Sequence, residues 1–261
     1  MALVDTFRAL HHRGDVLLMP NPPDAGAAKI MQSLGFSALA TTSSGAAAAR
    51  GLPDGGLNRE SALHAAAEIA AAVDVPVSAD LENGFAAEPA GVADTIRLAV
   101  ECGLAGASVE DWDGTALYEP EHAADRVRAA ASAAAGELVI TARAENHLRG
   151  VSDLDDTIAR LQSYVEAGAD VVFAPGLNTA EQIGAVVRNV DVPVSVLAVP
   201  GVPPVAELAE LGVRRVSTGG ALAFAAHAAL ADAARELREH GTFGYLDAGG
   251  RGRVALDEAL G

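Results

Sequence analysis

Val75-Pro76-Val77-Ser78-Ala79-Asp80-Leu81-Glu82-Asn83-Gly84 begins as a short apolar run entered through a proline and ends in polar residues and a glycine. Its first half reads as a buried strand and its second half as a turn. The same event recurs twice. Gly106-Ala107-Ser108-Val109 runs into Glu110-Asp111, and Leu138-Val139-Ile140-Thr141-Ala142 runs into Arg143-Ala144-Glu145-Asn146. Strands that deliver charged groups at their C-terminal ends and then turn are how a parallel β/α barrel builds its site.

Outward from this stretch, the unit repeats along the chain. Strands are expected at Val16–Met19, Ala38–Thr41, Val75–Asp80, up to Glu110, up to Arg143, Asp170–Ala174, Val192–Leu197 and Arg215–Ser217. Helices between them end in glycine (Gly35, Gly103, Gly168, Gly212) and begin behind Asp24, Asn58 or Ser61, and Asn178 or Thr179. A helix over residues 1–14 precedes the first strand, and His11 and His12 read as basic residues at its C-terminus rather than as a metal pair. Eight strands, each followed by a helix, within about 240 residues predict an α/β fold, a single (β/α)8 TIM barrel over residues 1–243. A doubly wound sheet is the alternative, but no dinucleotide fingerprint accompanies it. Residues 244–261 read as a partly helical tail suited to a subunit contact.

The totals narrow the function. A formal charge of −17 argues against nucleic acid, because no Lys/Arg footprint outweighs phosphate repulsion. No apolar stretch is long enough to span a bilayer, and no signal peptide is apparent, so a cytoplasmic protein with a small-molecule substrate is expected. One cysteine, Cys102, excludes an intramolecular disulfide and a multi-cysteine zinc site. Lys29 is the only lysine, so a Schiff base would have to use it.

Ser78, Asp80 and Glu82 alternate and so share one side of their strand. Asp80 and Glu110 end neighbouring strands, and two such carboxylates suit a hard cation, Mg²⁺ or Mn²⁺, that keeps several waters; the plainer alternative is that they cap helices or pair with Arg143. Arg143 can clamp a carboxylate through two hydrogen bonds, as lysine cannot. Thr42-Ser43-Ser44-Gly45 reads as a small polar loop able to hold an anion through hydroxyls and backbone N–H groups. Gly51, Pro53, Asp54, Gly55 and Gly56 make an irregular segment that covers the site. Thr218-Gly219-Gly220, opening the last long helix, is a weaker phosphate candidate.

With those residues assembled, the chain resembles the isocitrate lyase/phosphoenolpyruvate mutase superfamily. The resemblance runs through Pro20-Asn21, Ala40–Gly45, Gly51-Leu52-Pro53-Asp54, Pro76–Glu82, Val109-Glu110-Asp111, Ala142-Arg143 and Leu211–Ser217. It implies a barrel whose last helix is exchanged between subunits of a homodimer or homotetramer. It implies a Mg²⁺-assisted lyase or hydrolase that breaks a C–C (or P–C) bond of a small 2-oxo or 2-hydroxy carboxylate through a pyruvate-enolate-like intermediate. Asp80 and Glu110 would be metal-shell carboxylates and Asp54 an acidic group near the metal waters. Arg143, Asp54 and Glu110 would then be the catalytic set, with Thr42, Ser43, Ser44, Gly45 and Arg143 on the substrate carboxylate.

Two departures stand out. Ser78 replaces the first aspartate of the family's Asp-x-Asp motif. The loop after the fourth strand, Trp112-Asp113-Gly114-Thr115-Ala116-Leu117-Tyr118, has neither the cysteine of the lyases nor the lysine and asparagine of the mutases. Glu82, Asn83, Asp113, Glu145 and Asn146 remain as acid or base. The alternatives are a barrel that binds a metabolite or protein partner without turnover, and a sugar-phosphate enzyme using Gly219-Gly220.

Overall fold

A computed structural model describes residues 2–261. The strands are β1 Leu17–Met19, β2 Leu39–Ala40, β3 Val77–Asp80, β4 Gly106–Glu110, β5 Val139–Arg143, β6 Val171–Phe173, β7 Val194–Leu197 and β8 Arg215–Ser217. All pair in parallel in the order β1-β8-β7-β6-β5-β4-β3-β2, which makes a nearly closed (β/α)8 barrel. The helices are α1 Leu3–Leu10, α2 Ala25–Ser33, α3 Ser43–Ala48, α4 Arg59–Ala72, α5 Pro89–Glu101, α6 Pro120–Ala134, α7 Leu154–Glu166, α8 Ala180–Asn189, α9 Val205–Leu211, α10 Ala221–His240 and α11 Leu246–Leu260.

The expected strands and caps fall within a few residues of their places. Asp24, Asn58 and Thr179 each accept a hydrogen bond from a first-turn backbone N–H. One stretch differs. Thr42–Gly45 is not a loop but the cap and first residues of α3, because the Thr42 hydroxyl accepts from Gly45 N at 3.3 Å and an alanine run follows.

The N-terminal end of the barrel is closed by α1. Phe7 and Leu10 pack against Leu17, Ala38, Ala105 and Val139 at the strand starts. Gly106 makes room: a Cβ there would stand 2.6 Å from Phe7 Cε1. His11 is buried rather than a solvated basic residue. Its Nδ1 lies 2.8 Å from Phe7 O, and burial, with Arg215 beside it, pushes its pKa down to about 3. It is therefore neutral.

The seam between β1 and β2 depends on Asn21. Ala40 N donates to Pro20 O at 3.2 Å, and Asn21 Nδ2 donates to Thr41 O at 2.7 Å. The Asn21 Oδ1 accepts from the backbone N–H groups of Thr218 and Gly219 at 2.9 and 3.0 Å. One buried amide thus ties the C-terminal ends of β1, β2 and β8 together.

Helix α10 stands apart from this packing. Ala223 is its one buried residue, while Leu222, Phe224, Leu230 and Leu237 are exposed. On the outer side of β1, Leu18 is 40% exposed where a barrel strand ordinarily carries a helix. The tail is helical, as α11, and lies against α2. No helix among the described residues is long and apolar enough to cross a membrane.

Asn21→Ala leaves two inward-facing amides and one carbonyl without partners. Unfolding in urea is expected to show a loss of at least about 2 kcal/mol, whereas a loss below half of that would remove Asn21 from its role in closing the seam.

Candidate active site

Register brings the chemistry together. Glu110 is paired with Arg143 across β4 and β5, and Asp80 lies opposite Ser108 across β3 and β4. The Arg143 guanidinium meets three carboxylates. Nη1 is 2.9 Å from Asp80 Oδ1, and Nη2 is 3.0 Å from Glu110 Oε2 and 2.9 Å from Glu145 Oε1. Nε also donates to Glu145 at 3.0 Å. With one Nη1 hydrogen on Asp80, the second Nη1 hydrogen is left for a ligand. Arg149 sits behind, 3.5 Å from both Glu110 and Glu145, with its guanidinium over the Trp112 ring.

Three carboxylates here share two guanidiniums in a buried place. Burial pushes Glu110 and Glu145 above the ordinary carboxylate range, against the pull of Arg143. Burial lowers the Arg143 pKa, but Glu145, Glu110 and Asp80 outweigh it and raise it.

Asp80 also faces a cavity of about 170 Å³ at the C-terminal mouth of the barrel, lined by Thr42, Ser43, Ser44, Asp54 and Arg143 among others. Ser43 N donates to Asp80 Oδ2 at 3.1 Å. The Ser43 hydroxyl reaches Asp54 Oδ1 at 3.4 Å, and the hydroxyls of Thr42 and Ser44 are 3.0 Å apart. Gly45 does not line the cavity. It is buried, with its N–H on Thr42, and a Cβ there would meet Thr42 Cγ2 at 2.5 Å and Ala223 Cβ at 3.3 Å. Glu110 is likewise outside the cavity lining.

The candidates for acid or base separate by geometry. Asp113 is exposed and its carboxylate is held low by the N–H groups of Ala116 and Thr115 in its own turn. Glu145 is fully buried under the two arginines, and Asn146 turns away to Asp156 at 2.6 Å. Asn83 Oδ1 accepts from Phe85 N. Glu82 differs. Its backbone is left-handed at φ 49°, a conformation that costs a non-glycine residue about 1 kcal/mol or more. Its Oε1 is buried without a partner. Burial, then the nearby charges of Asp80 and Asp54, push its pKa up to about 7.

No group of three or more His, Cys, Asp or Glu side chains among the described residues forms a ready-made cation cage. Arg143 already pairs with both Asp80 and Glu110. A Mg²⁺ ion held largely through its own waters needs less. Asp80, Asp54 and the unpartnered Glu82 oxygen fit it, because their mutual repulsion is what an added cation relieves.

Asp111 and Cys102 are structural. The Asp111 carboxylate accepts from Tyr164 OH at 2.6 Å, Arg160 at 3.2 Å and Glu145 N at 2.8 Å. With Tyr118 N on its carbonyl, Asp111 ties down both ends of the loop after β4. Cys102 ends α5, at the opposite end of the barrel from the cavity. The amides of Thr218 and Gly219, read as a phosphate candidate, are taken by Asn21. Sequence reasoning did not find Arg149 or Arg215. A loop position gave no signal for Arg149, but inward parity with Ser217 on β8 marks Arg215.

Residues 7–238 match the family model described as phosphoenolpyruvate phosphomutase. The chain belongs to this family. It is 31% identical over 230 residues to the 2-methylisocitrate lyase of Halalkalibacterium halodurans, covering 84% of this chain and 72% of that one. A Burkholderia cenocepacia J2315 structure, a lyase/mutase of unverified activity, is 48% identical with a TM-score of 0.91, covering 94% of this chain and 91% of that one. A structure of oxaloacetate acetylhydrolase with the product oxalate is 26% identical with a TM-score of 0.88, covering 98% and 94%. The family's lyases and mutases share this barrel, and the present chain is an enzyme of that superfamily.

Glu82 carries a pH signature. A carboxyl raised in the folded state contributes stability that is complete below its unfolded pKa and is lost as pH rises through about 7. In chelator, Glu82→Gln, which mimics the protonated form, is expected to melt higher than the parent at pH 8.5 and alike at pH 5. Equal melting at both values would dissociate Glu82 from the acidic cluster.

Proposed function

We propose that the protein is a Mg²⁺-assisted lyase or hydrolase that breaks a C–C (or P–C) bond of a small 2-oxo or 2-hydroxy carboxylate through an enolate-like intermediate. The observation that carries this is the cavity wall where Asp80, held by Arg143 and Ser43 N, stands with Asp54, and the unpartnered Glu82 behind them feels both charges. Mn²⁺ would serve the same donors.

Ser43, Ser44 and Thr42 present hydroxyls to a carboxylate entering the cavity, and Arg143 offers its remaining N–H. Asp80, with Asp54 and Glu82 near it, would hold the cation, whose chemistry would be to stabilise negative charge developing on an enolate oxygen. Glu82 holds a proton near neutral pH and can donate or take one at the carbon that leaves or forms the enolate. The acid that the lyases place on the loop after the fourth strand has no equivalent there, which favours Glu82. Glu110 and Glu145 act behind Arg143 by fixing its orientation. The alternative of binding without turnover predicts the same ligand affinity with no reaction. The sugar-phosphate alternative has less support, since Asn21 already takes the Thr218 and Gly219 amides.

The same proposal makes the enzyme a cytoplasmic homodimer or homotetramer in which α10 of one protomer covers the outer face of β1 of another. The bare Leu18 and the apolar residues exposed along α10 support this. Light scattering after chromatography is expected to give an oligomer for the parent and a smaller species for the pair Leu230→Glu and Leu237→Glu. A monomeric parent would overturn it.

Oxalate, as an enolate mimic, provides the functional test. Calorimetry is expected to show Mg²⁺-dependent binding that Asp80→Ala removes by at least about 100-fold. Binding unaffected by either change would sink the metal-assisted reading.

A further inference from the structure

Below Asp80 and Arg143 the barrel interior is polar, where such barrels are ordinarily filled by branched aliphatic side chains. Ser78, Ser108, Thr141, Ser195 and Ser217 are all buried. Among them lies Arg215, only 4% exposed. Its Nε donates to Ser195 Oγ at 2.9 Å, its Nη1 donates to Thr141 Oγ1 at 3.1 Å, and Nη1 lies 3.4 Å from His11 Nε2. Each of those partners is neutral. No carboxylate among the described residues pairs with Arg215, and its Nη2 has no protein partner.

A guanidinium buried without a counter-charge is strongly unfavourable, and removing the charge would ordinarily stabilise such a core. Arg215 is also beside a second cation, Arg143, whose charge together with burial pushes the Arg215 pKa down to about 9. It stays a cation at neutral pH. It lines the same cavity as Arg143, Asp80, Ser78, Ser108 and Ser217, so the missing anion has a route to it.

We propose that Arg215 is a specificity-determining anchor on the cavity floor, where it pairs with the far carboxylate of a substrate whose near carboxylate lies at Ser43, Ser44 and Arg143. This rests on the carboxylate-binding reading of the same cavity and adds the second end of the ligand. Thr141, which Arg215 touches, is two residues below Arg143 on β5, about 6.6 Å along the strand. That span suits a short dicarboxylate that carries its 2-oxo or 2-hydroxy group at the upper end. A free halide offers the floor the same negative charge, and the test separates the two sources.

The test compares malate with lactate, each as both enantiomers, because they share a 2-hydroxy carboxylate and differ in the second carboxylate. Calorimetry on the protein with Mg²⁺ at 10 mM chloride is expected to show the better malate enantiomer binding at least about tenfold tighter than lactate. Arg215→Met is expected to abolish that advantage and leave lactate within about twofold. Arg215→Gln gives a second variant that keeps a donor to Ser195 or Thr141, with the same expectation if Arg215→Met does not fold. Equal binding of malate and lactate by the parent, or an advantage that survives in both variants, would overturn the role of Arg215 alone. If lactate, malate and oxalate all fail to bind the parent, the carboxylate reading of the cavity fails and this inference with it. Chloride at 200 mM that raises the parent's melting temperature but not the variant's, with no malate advantage, assigns the floor to a free anion and overturns the proposal.

Discussion

Everything at the mouth of this barrel depends on one guanidinium shared among three carboxylates. Arg143 joins Asp80 from β3, Glu110 from β4 and Glu145 from the loop after β5. Arginine suits the position because its planar fork can face several acceptors at once and stays charged when buried. Without it, three acidic strand ends would repel one another at the point where the parallel sheet brings them together. With it, and with Arg149 behind it, that repulsion is offset. Burial first, and then the charges of Asp80 and Asp54, push the Glu82 pKa up to about 7.

The loop after β4 shows how this chain differs from relatives that place an acid there. Asp111 is buried beneath Arg160 and Tyr164, and the loop between Asp111 and Tyr118 closes on itself. A loop pinned in this way has little freedom to carry a catalytic group over the cavity. Most of the polar groups that reach the cavity come from strand ends and from α3, and Asp54 comes from the segment between α3 and α4. Chemistry on rigid elements needs less ordering when a ligand enters.

Buried polar groups also set the shape of the interior. Asn21 holds the β1–β2 seam, where strand pairing alone leaves the barrel open. His11 and Arg215 share the floor with serine and threonine hydroxyls. Each placement exchanges aliphatic packing for directional bonds, and the hydrogen-bond partners decide whether that exchange is favourable. Asn21 is satisfied on both its oxygen and its nitrogen. Arg215 has hydroxyl partners but no counter-charge.

The barrel was legible because its local signals agree. Glycine after four of the helices, caps at Asp24, Asn58 and Thr179, and short apolar strands recur along the chain, and a right-handed β/α/β connection leaves few ways to assemble them. Asp80, Glu110 and Arg143 were legible for the same reason, since strand ends in such a barrel converge. Thr42–Gly45 was misread as a loop because a serine-rich run looks like a turn until its capping bond is seen. His11 looked like a solvated base because burial is a property of the α1 plug, not of the residue. The sequence by itself determined the repeat, the strand ends and the residue types placed on them, because those follow from periodicity and caps within a few residues. Only the tertiary structure decided which charges meet. Arg143 is consumed by three carboxylates, Glu82 is left without a partner, and Arg215 has no counter-ion, because charge pairing is set by distances between residues far apart in the chain.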